Sequence, residues 1–352
     1  MKLLAIDVGM GTQDILLYDS EKRIENCFKM VLPSQTQIVA KQVSEATAKG
    51  QDVILSGETM GGGASSSAVM KHLKPGNCVY ATEKAALTLN DDIQKVREMG
   101  VVIVSEDEAR ELDGVHIKMC DIDTNALGKA FSLFGVNMPE RSAVAVQDHG
   151  YAPGMSNRVF RFDYFREVIQ NGGNLDSFVY CGNIPERFSR MKAVERTLPG
   201  ALFMDTGMAA VRGALLDENA SSPCLAVNVG NGHTLACVVD GMDVLSVFEH
   251  HTGQMTQGKL DDYLRRLCEG TVDFQEVFDD GGHGCFVREA VGFGNIGSVL
   301  VTGPNRYFMK SSGLDTHFAA PFGDMMLTGC FGLMDAYLNN TQIIHRTKTE
   351  KI

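Results

Sequence analysis

Five histidines sit in or beside glycine-bearing turns: His149 in QDHG, His233 in GNGHT, His250-His251 in EHHTG and His283 in GGHG. Imidazole changes charge near neutral pH and is a common transition-metal ligand. The turns lie at the ends of apolar runs, and loops at strand ends are where α/β folds gather ligand sites. Convergence of Asp148, His149, His233, His250 and His283 would give a transition-metal site or a set of acid/base groups. An isolated loop histidine is ordinarily solvated or hydrogen-bonded. His233 stands out because it directly follows a glycine turn.

That turn has a counterpart near the start of the chain. A shift of 221 residues lays Leu4-Ala5 on Leu225-Ala226, Val8-Gly9 on Val229-Gly230, Gly11 on Gly232 and Asp19 on Asp240, while Asp7 meets its near-isostere Asn228. Both copies read as strand, G-x-G turn, strand (LLAIDV to ILLYD; LAVNV to LACVVD). Glycines at 9, 11, 230 and 232 permit close backbone approach, so that consecutive N–H groups can face an anion. One copy alone is as readily an ordinary hairpin; two copies, each with an acid or amide two positions before the first glycine, point to a duplicated anion site.

The elements around these turns read as α/β. Strand-like runs at 53–57, 77–81, 101–105 and 143–148 alternate with helical patterns such as DDIQKVREM. A helix is expected at KLDDYLRRLCEG, a strand at 298–303 and a long apolar helix at FGDMMLTGCFGLMDAYL. Gly292, Gly294 and Gly297 spell G-x-G-x-x-G, but a strand-like segment follows where a dinucleotide fingerprint needs a helix. The stretch VILSGETMGGGASSSAVMKHL reads as strand, glycine-rich loop and helix; a turn with a helix cap is favoured over a second anion or substrate site.

Composition narrows the function. The 352 residues are 44% hydrophobic and carry a net charge of -12, which excludes extensive disorder and disfavours nucleic acid as a partner. Asp7 interrupts the apolar start, and no run suits a membrane span, so the expectation is a soluble, cytoplasmic protein without a membrane partner. The nine cysteines form no CxxC pair, and most lie in apolar contexts that suit buried thiols.

DVGMGTQD at 7–14 resembles the first phosphate loop of the acetate and sugar kinase, heat-shock-70 and actin superfamily, and NVGNGHT at 228–234 resembles its second. MDTGMAAVRGALL at 204–216 and MMLTGCFGLMDA at 325–336 resemble its connecting helices, where small residues allow close crossing, and VLVTGPNR at 299–306 its adenosine strand and loop. Within that superfamily the chain resembles a family labelled as a pyruvate formate-lyase activating enzyme. Activating enzymes of that kind hold an iron–sulfur cluster on three closely spaced cysteines. No CxxxCxxC run exists in this sequence, which argues against radical chemistry.

The resemblance implies an α/β fold of two duplicated ribonuclease-H-like (actin-like ATPase) domains with a nucleotide cleft between them. The implied boundaries are 1–208 for the first domain with inserted α/β segments, completed by 325–340, then 209–324 for the second and 341–352 for a polar tail. ATP or ADP with Mg²⁺ would contact Gly9, Met10, Gly11, Thr12, Gln13, Gly230, Asn231, Gly232, His233, Thr234, Gly303 and Pro304. Asp7 would bind Mg²⁺ through water, with Asn228 where the superfamily usually has Asp, one negative charge fewer. Asp205 falls where relatives place an acid that orients the attacking group; it reads equally well as a helix N-cap. With Asp205, the candidate catalytic groups are Asp148, His149 and His233. The expected activity is ATP-dependent phosphoryl transfer or hydrolysis on an unknown small-molecule or protein acceptor. The alternatives are a non-hydrolysing nucleotide sensor or assembly partner, and a metal-binding protein using the loop histidines.

Overall fold

A computed structural model describes residues 1–74 and 76–340; the tail expected over 341–352 lies outside the described residues. The chain opens with three strands, β1 (Lys2–Val8), β2 (Thr12–Asp19) and β3 (Phe28–Pro33), paired as an antiparallel meander. An insertion follows with β4 (Val53–Gly57), β5 (Val79–Thr82), β6 (Val101–Val104) and β7 (Val115–Met119), which form a separate, fully parallel sheet in the order β6-β5-β4-β7. The chain then returns to the first sheet through β8 (Ser142–Val146), β9 (Val179–Cys181) and β10 (Leu202–Met204). The second half contributes β11 (Cys224–Val229), β12 (His233–Asp240), β13 (Asp243–His251), β14 (Gly284–Val287), β15 (Ser298–Thr302) and β16 (Thr316–Phe318).

The two large sheets share one plan. In the order β3-β2-β1-β8-β10-β9, β1 to β3 are antiparallel while β8 lies parallel to β1 and β10 parallel to β8. In the order β14-β13-β12-β11-β15-β16, β11 to β13 are antiparallel while β15 lies parallel to β11 and β16 parallel to β15. A three-strand meander extended by two parallel strands is the ribonuclease-H-like plan, present twice. The match reaches single residues: Asp7 pairs with Asp14 and Asn228 with Leu235, each pair displaced by the same 221 positions.

Burial explains the apolar runs. Leu3, Leu4, Ala5 and Ile6 in β1 are all 0% exposed, as expected where layers cover both faces of a sheet. In β11 and β12 the side chains alternate between two cores. Ala226, Leu235 and Cys237 join the core shared with the first half, whereas Leu225, Val227, Ala236 and Val238 face that of the second.

Two helices tie the halves together. Thr206–Ala214 follows β10, and Thr328–Asn339 returns from the second half to pack on the first. They cross backbone to backbone: a Cβ on Gly213 would overlap the Thr328 carbonyl, and one on Gly332 would overlap the Ala209 carbonyl.

Candidate functional site

The duplicated turns close identically. Gly9 N–H donates to the Thr12 carbonyl at 2.9 Å, and Gly230 N–H donates to the His233 carbonyl at 2.9 Å. Each is anchored from behind. Ser34 Oγ donates to the Met10 carbonyl at 2.9 Å, and the Thr252 N–H and Oγ1 donate to the carbonyls of Gly232 and Gly230, both at 2.9 Å. A trans peptide points its N–H opposite to its carbonyl, so fixing these carbonyls turns the following N–H groups away from the anchors. The loops also meet reciprocally: a Cβ on Gly11 would overlap the Asn231 side chain, and one on Gly232 would lie 3.1 Å from Met10 Sδ. Met10 and Asn231 are themselves duplication partners.

These turns open onto a cavity of about 320 Å³ between the halves. Asp7 and Asp14 share it, paired directly across β1 and β2. Like charges in that position repel. Burial raises the Asp7 carboxyl to about 7, although Thr206 Oγ1 donates to it; burial and the neighbouring Asp7 raise Asp14 to about 8. Asp14 Oδ1 is buried with no hydrogen-bond partner among the described residues. Such a pair fits a divalent cation: two carboxylate ligands, one oxygen without a partner, and acidity that a bound cation would restore. The second copy offers only Asn228 and Leu235 at these positions, so cation-binding charge lies on the first half.

Histidines form another wall. His149 Nε2 lies 3.2 Å from His283 Nε2, and ligating atoms of His149, His233 and His283 all fall within 4.8 Å of one another. The His251 ring flanks His233 and His283, with centroids at 4.8 and 4.9 Å. Burial lowers His233 to about 4 and His283 to about 3, and it lowers His149 and His251 too, so neutral imidazoles face one another at physiological pH.

Behind them lies a buried ion cluster. Arg161, on the helix Asn157–Gln170, donates through Nε to Glu249 Oε2 at 2.6 Å and through Nη1 to Asp205 Oδ2 at 2.7 Å. Burial opposes the charges of Arg161 and Glu249, yet the carboxylates hold the guanidinium well above its usual range, and Arg161 holds Glu249 well below the usual carboxylate range. His283 Nδ1 lies 3.8 Å from Glu249 Oε2.

The expected residues are distributed unevenly. Gly9, Met10, Thr12, Asn228, Gly230, Asn231, Gly232, His233, Gly303 and Pro304 line the cavity. Gln13 and Thr234 turn inward, Gln13 donating to the Pro33 carbonyl and Thr234 meeting Thr252. Asp205 caps its helix by accepting from Gly207 N–H at 2.9 Å while also binding Arg161. The Asp148 carboxylate accepts from Gly150 and Met191 N–H groups at 2.8 and 2.9 Å, so it braces the loop that carries His149.

His250 does not join the histidines: it lies on the opposite face of β13, with Nε2 3.1 Å from Asp280 Oδ2. His251 takes its place through a bulge. Asp240 pairs with Asp243 at the hairpin end, and counting back from there would set His250 opposite His233. A register shift between Val238 and Val239 makes His251 the partner of His233 instead. Asp14, Arg161 and Glu249 carry no sequence pattern that singles them out, and EHHTG alone does not decide between His250 and His251. The glycine-rich loop at Gly61 to Gly63 does reach the cavity, together with Arg190, whose guanidinium grips Asp121 at 2.7 and 2.8 Å.

Two ribonuclease-H-like halves around one cleft, each contributing the same glycine turn, make the fold plan that the resemblance to the acetate and sugar kinase, heat-shock-70 and actin superfamily implies. The chain belongs to the family described as "Putative pyruvate format-lyase activating enzyme (DUF1786)", which matches residues 60–308. The nine cysteines are all free thiols and seven of them are buried, none in the clustered spacing of an iron–sulfur site. No curated protein matches in sequence. Similar solved structures include ethanolamine utilization protein EutJ from Carboxydothermus hydrogenoformans, 12% identical over 95% of this chain and 89% of that one, with a TM-score of 0.36. The ROK hexokinase from Thermus thermophilus is 13% identical over 96% and 99%, with a TM-score of 0.31. The Aquifex aeolicus PPX-GPPA enzyme is 10% identical over 86% and 68%, with a TM-score of 0.24. Strand order and matched turns, rather than these likenesses, define the fold. Among the described residues, no helix is long and apolar enough to cross a membrane.

Proposed function

We propose that the protein binds ATP in the cleft and transfers its γ-phosphoryl group to water or to an acceptor. The observation that carries this reading is the pair of identical turns, Gly9 to Thr12 and Gly230 to His233, opening onto one cavity beside Asp7 and Asp14. Their N–H groups would bind the phosphates as preorganised donors. Gly303 and Pro304, at the end of β15, line the cavity where the adenosine would rest. Asp7 and Asp14 would hold Mg²⁺, which supplies charge neutralisation on the phosphates. The loop Gly61–Gly63 and Arg190 also line the cavity and would face the acceptor. Closure of the halves would exclude water from the transfer.

One observation favours slow turnover, and with it the nucleotide-sensor reading: Arg161 and the Gly207 N–H already occupy both Asp205 oxygens, leaving that carboxylate poorly placed as a base. Thermal shift with Mg-ATP tests binding, and a single-turnover assay separates transfer from sensing. A ligand at a hundredfold its Kd stabilises by about 2.7 kcal/mol. No stabilisation by millimolar ATP or ADP overturns the proposal.

A further inference from the structure

The ion cluster behind the histidines is unbalanced. Arg161, Asp205 and Glu249 have side chains 1%, 4% and 2% exposed, so one guanidinium faces two carboxylates away from water. Such a cluster favours a neighbouring cation. The groups beside it are imidazoles whose ligating nitrogens lie within 4.8 Å of one another.

We infer that His149, His233 and His283 hold one divalent first-row transition metal, with an open coordination position facing the cleft. Neutral imidazoles suit Zn²⁺, Fe²⁺, Ni²⁺ or Cu²⁺, whereas Mg²⁺ prefers oxygen ligands. The 3.2 Å between the Nε2 atoms of His149 and His283 is close to the edge of a tetrahedron with metal–nitrogen bonds of about 2.0–2.1 Å, which is roughly 3.3 Å. His283 Nδ1 is buried without a hydrogen-bond partner among the described residues and faces Glu249 Oε2 at 3.8 Å. With the Nδ1 proton directed at that carboxylate, Nε2 is free as a ligand, the carboxylate–histidine–metal arrangement that orients a ligating ring. His283 is 2% exposed and forms the back of the site, while His149 and His233 line the cavity. Three protein ligands leave room for water or an anionic oxygen, as in open metal sites.

The site draws on both halves, His149 following β8, His233 opening β12 and His283 preceding β14, so an occupied site would join the two halves. It stands independently of the nucleotide reading. The competing account is a metal-free histidine pair sharing a hydrogen bond between its Nε2 atoms.

The test uses full-length protein in a Cys78→Ser background, which removes the exposed thiol, stripped with chelator and titrated with Zn²⁺ or Co²⁺ without nucleotide. The expected result is one ion per chain, a visible Co²⁺ spectrum displaced by Zn²⁺, and no competition from millimolar Mg²⁺. Loss of one outer-shell partner already weakens metal binding 10- to 100-fold, so His149→Gln and His283→Gln should each weaken it at least about 100-fold. His116→Gln, an exposed histidine on β7, should bind as the parent does. If His283→Gln does not fold, the cavity-facing His149→Gln decides alone. Absence of 1:1 binding in the parent, or unchanged binding in His149→Gln, overturns the inference. Either result leaves the Mg-ATP thermal shift untouched, so the two readings fail separately.

Discussion

Replacing Arg161 with leucine should be among the most damaging single changes in the protein. The guanidinium makes four short contacts, at 2.6 and 3.1 Å to Glu249 and 2.7 and 3.2 Å to Asp205, and it is buried. A leucine side chain there would leave two carboxylates in low dielectric without a cationic partner, and breaking a buried pair in this way costs about 3–5 kcal/mol. The cost depends on pH. In the parent, Glu249 is held below its unfolded value, a stabilisation present above that value and lost as pH falls through the folded one. In Arg161→Leu, burial without the guanidinium raises the Glu249 carboxyl above its unfolded value, and that destabilisation is relieved as pH falls. The first effect sets in only below the unfolded value, so between pH 8 and pH 5 the second narrows the gap between parent and variant. Urea unfolding of chelator-treated protein, followed by circular dichroism at pH 8 and pH 5, should show the full loss at pH 8 and a smaller one at pH 5. Glu249→Gln leaves one guanidinium and one carboxylate, and should cost less than Arg161→Leu. A loss below about 1 kcal/mol for Arg161→Leu at pH 8, or an equal loss for Glu249→Gln, refutes the charge argument.

Other outcomes follow from the same geometry. Asp7 and Asp14, raised to about 7 and about 8, oppose folding when ionised, so unliganded stability should rise as pH falls from 8 toward about 6.5, below which the buried neutral histidines act in the opposite sense, and Asp14→Asn should add at least about 2 kcal/mol at pH 8. Mg-ATP should flatten that pH dependence by stabilising the ionised pair; an unchanged slope in urea titrations would count against a cation between these carboxylates. Gly11→Val should abolish the ATP-induced thermal shift, because its side chain collides with Asn231; a full shift in the variant would show that the loops do not hold phosphate. Gly332→Ala should cost about 1–3 kcal/mol in urea unfolding through overlap with the Ala209 carbonyl, and a neutral result would mean that the helices separate easily.

The parts of the site legible in sequence are the local ones. Glycines two apart, preceded by Asp7 or Asn228 and flanked by apolar runs, announce both turns, and the 221-residue shift announces their equivalence. The pairing of Asp14 with Asp7 becomes meaningful only when the hairpin register places two acids side by side. Arg161 and Glu249 lie 88 residues apart, and no local pattern links them. The exchange of His251 for His250 turns on a single bulged residue, which strand periodicity alone does not reveal. Asp205 reads in sequence as either cap or acid because its two oxygens serve the helix N-terminus and an ion pair together.

The crossing of Thr206–Ala214 with Thr328–Asn339 has a mechanical consequence. Where backbone touches backbone at Gly213 and Gly332, no side-chain ridges lock into grooves, so rotation about that point leaves few rotamers to rearrange. The contact can act as a fulcrum. Thr206, which lines the cavity, lies seven residues from Gly213, roughly 10 Å along a helix, so a turn of about 10° at the fulcrum carries it by about 2 Å. The lever runs through the carboxylate that Thr206 holds, Asp7, and beside Asp205, where the buried ion cluster begins. A small rotation at two glycines is therefore delivered to Asp7 and to Asp205 at once, and bulk added at Gly332, against the Ala209 carbonyl, would hinder it.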